Sequence, residues 1–145
     1  MITCLKKKNG IYLDVGAQHP ISNSNTYLLF NRGWNGINID LDIKNIELFN
    51  LVCPDDINLN HAISSSSMEK KLYFYHDKSP INTLNHEVSN YQKAIVKEIK
   101  TITTASLNIL LKKLNFDKHI DYINIDVFNG FDLEKYKPSV ISVEF

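Results

Sequence analysis

The 145 residues predict an α/β fold, a single compact domain built on a doubly wound, mostly parallel sheet. Two observations carry that expectation. Short β-forming runs alternate with stretches of helical spacing along the chain, and the first run ends abruptly in a glycine turn. No internal repeat is visible.

The first strand is expected at residues 11–15, an apolar run interrupted by Asp14 and closed by Gly16. A helix of about two turns should follow over residues 24–32, capped by Ser24 and stopped at Gly33. Residues 36–41 alternate as a second strand. Residues 43–52 have helical spacing until Pro54 stops them. Residues 57–63 alternate again and read as one third strand, ending in the turn Ser64 to Ser67. Residues 71–75 suit a short aromatic strand, 81–91 a mobile connection, and 97–103 an edge strand. Leu107, Leu110, Leu111 and Leu114 share one face of a helix that starts at Thr104 or Ala105. Strands at 122–127 and 140–145 complete the order, with little more than one helical turn, 132–136, between them.

Composition removes several function classes. Lys plus Arg equals Asp plus Glu at 16 each, so no basic stripe is available for a phosphate backbone and nucleic acid is not an expected partner. Lys6 to Lys8 is read as a solvated lead-in. No apolar run approaches the ~20 residues that span a bilayer, and no secretory h-region stands at the start, so a cytoplasmic protein without membrane contact is expected. Cys4 and Cys53 have no metal spacing, and no two histidines fall at i, i+4, so neither a disulfide nor a metal site is expected.

In an open parallel sheet, ligands bind outside the carboxyl ends of the strands. There the first strand supplies Asp14, Gly16 and Ala17, and the second ends at Asp40, the spacing of an acid that binds a ribose hydroxyl. A dinucleotide pyrophosphate calls for GxGxxG, whereas this turn, Gly16-Ala17-Gln18-His19-Pro20, has one glycine. That disfavours a nicotinamide-dependent oxidoreductase and favours a nucleoside without phosphates. Asp14 read as a turn cap, Asp40 as an ordinary residue before a helix, and His19 as a solvent-facing loop residue remain the structural alternatives. Trp34 is read as packing.

Several strings resemble FkbM-type methyltransferases. They are Ile11-Tyr12-Leu13-Asp14-Val15-Gly16-Ala17, then Pro20, then Ser24-Asn25-Thr26, then Gly33-Trp34-Asn35-Gly36-Ile37-Asn38-Ile39-Asp40. The likeness continues through Asp56 to Ser64, Leu72-Tyr73-Phe74, Thr101-Ile102-Thr103 and Ile120 to Val127. It implies a Rossmann-like domain, truncated relative to full methyltransferases, that binds S-adenosylmethionine and methylates a hydroxyl of a sugar or small natural product.

By position, Asp14, Gly16 and Ala17 would hold the methionine part, Asn25 and Thr26 would line the same loop, and Asp40 would bind the ribose. Asp56, Ala62 and Ile63 match positions near the adenine. Asp126 would face the transferable methyl as a catalytic carboxylate, with His19 as a second candidate base. The chain departs from the family after Asp126-Val127, where Phe128-Asn129-Gly130 replaces Glu-Gly and only residues 128–139 cross to the last strand. A degenerate, non-catalytic S-adenosylmethionine-binding or interaction domain is the alternative reading. If the last strand is an open edge, a homodimer that pairs it with a second copy is expected.

Overall fold

The computed structural model describes residues 7–74, 98–125 and 133–143. It is an α/β fold: a parallel five-stranded sheet flanked by helices, with a smaller three-stranded sheet beside it. The strands are β1 (Ile11–Val15), β2 (Asn35–Asp40), β3 (Ile57–Asn60), β4 (Ala62–Ile63), β5 (Glu69–Phe74), β6 (Glu98–Ala105), β7 (Tyr122–Ile125) and β8 (Val140–Val143). The helices are α1 (Tyr27–Phe30), α2 (Ile43–Val52), α3 (Leu107–Lys113) and α4 (Leu133–Tyr136).

The larger sheet runs β3-β2-β1-β7-β8, with all four pairings parallel. Its order therefore reverses between β1 and β7. Alternation along each strand gives the sheet two chemically different faces. Leu13, Val15, Ile37, Ile39, Ile123 and Ile125 point to one side, where they form the main core with Leu107, Leu110, Leu111, Ile120 and Tyr136. On the other face Tyr12 and Tyr122 pack with Leu29 and Trp34, so Trp34 serves packing.

Most elements stand where the sequence places them, and the differences have local causes. α1 is shorter than expected because Ser24 Oγ accepts from Thr26 N and Tyr27 N, drawing residues 24–26 into a turn before the helix. The expected third strand is two strands in two sheets. Asn60 Nδ2 donates to the carbonyls of Asp40 and Leu41, and His61 N donates to Asp40 O, which ends the ladder with β2. The chain then leaves to pair with β6 at Ala62↔Thr104. β6, expected at an edge, is the middle strand of the smaller sheet and is antiparallel to β5. It continues to Ala105, so α3 begins only after Ser106, whose hydroxyl caps Ile109 N.

Among the described residues of the crossover α4 forms one turn, and β8 lies parallel to β7 in register Tyr122↔Val140. Lys7, exposed as expected, also donates to both oxygens of the buried Asp121 at 2.8 and 3.0 Å, and Asp121 accepts from Ile11 N as well. The anticipated connection at 81–91 and Cys4 lie outside the described residues. No helix among the described residues is long and apolar enough to cross a membrane.

β2 lies close against its surroundings at Gly36, where a Cβ would collide with the Tyr12 ring and with Asp56 Oδ2. We expect Gly36→Ala to cost about 1–3 kcal/mol of stability, the usual range for overpacking. A lowered urea midpoint at unchanged slope would register it; an unchanged midpoint would refute the close approach.

Candidate functional site

The turn after β1 is built by its backbone. Gly16 adopts φ 78°, a left-handed conformation that only glycine enters without strain. Gly16 N and Ala17 N both donate to Ile39 O, at 2.9 and 3.1 Å. Gln18, itself at φ 54°, donates its N–H to Asp40 Oδ2 at 2.8 Å. Three successive amides are thus directed at β2. None of them is aimed outward in the way that a phosphate-cradling turn requires.

Asp40, 7% exposed, ends β2 and ties three segments together. Besides Gln18 N it accepts from Asp42 N at 2.7 Å and from Asn45 Nδ2 at 3.2 Å, fixing the start of α2. Burial, the largest influence, pushes its carboxyl above the usual carboxylate range, and the three hydrogen bonds offset this only in part. A carboxylate has about four lone-pair positions, so Asp40 retains capacity for one further donor.

On the other side of β1, Asp14 is 1% exposed and accepts from Thr26 Oγ1 at 2.6 Å and from Asn124 Nδ2 at 3.0 Å. Thr26 is the N-cap of α1, yet its side chain makes no cap bond, because the hydroxyl is committed to Asp14. Asn25 Nδ2 donates to Asn124 Oδ1 at 3.2 Å. The structure therefore gathers Asp14, Gly16, Ala17, Asn25, Thr26 and Asp40 around the carboxyl ends of β1 and β2, next to the point where the strand order reverses. Asp14 acts there as an internal anchor for the 24–26 loop.

Other candidates stand apart. Asp56 precedes β3 at the amino end of the sheet, roughly 13 Å from Asn60 at ~3.3 Å per residue. There Asp56 Oδ1 accepts from Gly36 N and Oδ2 from Tyr12 OH and Asn38 Nδ2. Its surroundings are those of a strand-end clamp, and they hold the Tyr12 phenol well above its ordinary pKa through burial and the Asp56 contact.

Ala62 is buried in β4, and Ile63 packs against the main apolar core; both follow directly from the segment that touches Asp40. His19 Nδ1 accepts from Ile21 N and Ser22 N, each at 3.0 Å. This pattern assigns the proton of neutral imidazole to Nε2 and makes His19 a turn brace. Asp126 lies outside the described residues. The Cys53 thiol is pushed up to about 11 by burial, so the thiolate is a minor form near neutrality.

Asn124 was not among the sequence candidates, nor were Gln18 and Asn45. The signal for Asn124 lay in the repeated alternation Ile37-Asn38-Ile39-Asp40, Ile57-Asn58-Leu59-Asn60 and Ile123-Asn124-Ile125, which puts an amide or a carboxyl between apolar residues on three strands. Gln18 acts through its backbone, which a side-chain search cannot see.

A carboxyl raised on folding binds protons more tightly in the folded state. Its stabilising contribution is full below the unfolded pKa of about 4 and is lost as pH rises through the folded value. We therefore expect the stability difference between wild type and Asp40→Asn to shrink as pH rises from about 3 to about 8, measured by denaturant unfolding. A difference that is flat or grows would contradict the raised carboxyl. Beyond this geometry, no protein-family model matches the chain, and neither the curated proteins nor the solved structures provide a match.

Proposed function

We propose that the chain binds S-adenosylmethionine at the carboxyl ends of β1 and β2 and methylates a hydroxyl of a sugar or small natural product, as an FkbM-type enzyme on a Rossmann-like sheet. The observation that carries this reading is the junction of the Gly16–Gln18 turn with Asp40. All three amides of the turn are spent within the protein, while the acid beside them has room for a donor. That combination suits the hydroxyls of a phosphate-free ribose and disfavours a pyrophosphate. The strand order β3-β2-β1-β7-β8 adds support, because its reversal falls beside Asp14 and Asn124.

S-adenosylmethionine would supply the electrophilic methyl group. The chain's own residues bind and orient: Asp40 accepts from the ribose, the Gly16 turn permits close backbone approach, and Asn25 and Thr26 are held over the end of β1 by Asn124 and Asp14. Asp126 remains the carboxylate proposed to take the acceptor's proton.

A second reading, a non-catalytic domain that binds the same ligand, is favoured by the bracing role of His19 Nδ1 and by the internal bonds of Asp14. Among the described residues β8 pairs with β7 alone, which supports a homodimer joined along that edge.

Calorimetric titration with S-adenosylmethionine, its demethylated product and NAD tests the cofactor. Saturable low-micromolar binding of the first two, lost in Asp40→Ala and absent for NAD, is the expected result; no binding of either methyl-cycle ligand would overturn the reading. Methyl transfer from labelled cofactor to a panel of hydroxyl acceptors then separates the enzyme from the binding domain.

A further inference from the structure

We propose that Ser64 and Lys70 form a subsite for an anionic group, a carboxylate or a phosphate, carried by the hydroxyl acceptor. The proposal deepens the methyltransferase reading by naming an acidic acceptor, and it rests on that reading for the acceptor but not for the anion.

The smaller sheet fixes both residues. Ser64 directly follows β4 and donates its N–H to Ala105 O at 3.0 Å, while Thr104 N donates to Met68 O at 2.9 Å, so the serine loop is tied to β6 at both ends. Thr104 Oγ1 adds a bond to Ser66 O at 2.9 Å and accepts from Met68 N at 3.3 Å. Two residues beyond Met68, Lys70 stands beside Ile102 on β6, and alternation turns the exposed Lys71 to the opposite face. Lys70 is thereby directed back at the start of the loop.

There Lys70 Nζ donates to Ser64 Oγ at 2.7 Å, with Ser64 5% exposed and Lys70 half-buried. An ammonium has three donors and no acceptor, so the serine oxygen accepts and its own proton is turned elsewhere. Among the described residues, no protein acceptor takes that proton or a second ammonium proton. The other ion-paired lysines differ: Lys7, Lys44 and Lys100 each meet a carboxylate, of Asp121, Glu47 and Glu98. Lys70 has a neutral oxygen alone. A half-buried ammonium has given up part of its hydration, and one hydroxyl replaces it poorly, whereas an anionic oxygen between Nζ and Oγ would accept from both side chains.

The position suits an acceptor. Ser64 lies three residues beyond His61, whose N–H donates to Asp40 O, so at ~3.3 Å per residue it is within roughly 10 Å of the end of β2.

Two measurements test the proposal. In NMR titrations of the cofactor-free protein, glucuronate and glucose 6-phosphate should saturably shift the backbone amides of Ser64 and Lys70 and leave Lys71 unmoved, while glucose and inorganic phosphate alone should shift none of them. Lys70→Gln should weaken both acidic sugars roughly tenfold, as expected for losing a charge-assisted hydrogen bond. Lys70→Arg should keep most of the affinity, and Ser64→Ala should lose part of it. With labelled S-adenosylmethionine, methyl transfer to acidic sugars should exceed transfer to glucose, and Lys70→Gln should abolish that preference.

Glucose shifting the same amides, acidic sugars shifting Lys71 equally, or no shift with either acidic sugar would overturn the proposal. So would binding of inorganic phosphate without the sugars, which would mark an adventitious ion only. If acidic sugars bind at Ser64 and Lys70 while S-adenosylmethionine does not bind at all, the subsite stands and the methyltransferase reading falls. If methyl transfer proceeds to neutral acceptors alone, the methyltransferase reading stands and the acidic acceptor falls. Should Lys70→Gln fail to fold, Ser64→Ala, which removes a single hydroxyl, decides.

Discussion

A row of polar side chains across the middle of a parallel sheet is the constraint on which the rest of this structure depends. In register from one edge to the other stand Asn58, Asn38, Asp14, Asn124 and Ser142, one from each strand. Parallel strands covered on both faces are usually apolar throughout. Here one face is apolar throughout, while the other packs Tyr12 and Tyr122 under Leu29 and Trp34 and also buries Asn38, Asp14 and Asn124. A buried polar group without a partner costs about 1–3 kcal/mol, so the row is tolerated only while its bonds hold. A one-residue slip of any strand would carry its polar side chain onto the apolar side and an isoleucine, leucine or valine into the polar layer. The row thus sets the register as firmly as the core does.

From that row the polar face leads to the site. Asp40 lies two residues beyond Asn38 on the same strand and face, and Gly16 two residues beyond Asp14. Asn58 donates to Asn50 Oδ1 and to the Cys53 carbonyl, joining the row to the end of α2. Thr26 gives up its own helix cap to bond Asp14, so the short α1 is held by the strand, by the Ser24 turn and by Leu29. One atom of the row is left unmatched among the described residues: Asn38 Oδ1, fully buried and without a hydrogen-bond partner. An acceptor in that state makes the centre of the sheet polar but not fully satisfied, which is costly unless an ordered water completes it.

How much of this was legible in the sequence depended on whether the determinant was local. β1, β2 and α2 were readable because alternation, helical period and Pro54 act within a few residues of where they are written. The division of residues 57–63 between two sheets was not. It is caused by bonds from Asn60 and His61 to Asp40, about 20 residues earlier in the chain. The central place of β6 was hidden by its exposed, charged residues, which resemble those of an edge strand. For the site, Asp14, Gly16 and Asp40 were visible as residue types at strand ends. Asp56 was placed near the adenine by the resemblance alone, although a residue preceding a strand stands at its amino end. It lies before β3, and the site lies after it.

The two acids at the centre of the site have different tasks, and the contrast follows from their partners. Asp14 accepts from a hydroxyl and an amide that belong to the loop it orders and to the neighbouring strand, so its two oxygens join the 24–26 loop to β7. Asp40 accepts from two backbone amides and one side-chain amide, yet desolvation still outweighs them and its carboxyl stays raised. An acid in that position gains from each further donor, because each one stabilises the charged form that burial disfavours. One carboxylate thus joins loop to strand, while the other stays raised beside the Gly16 turn despite three donors, and it is the second whose charged form a further donor would stabilise.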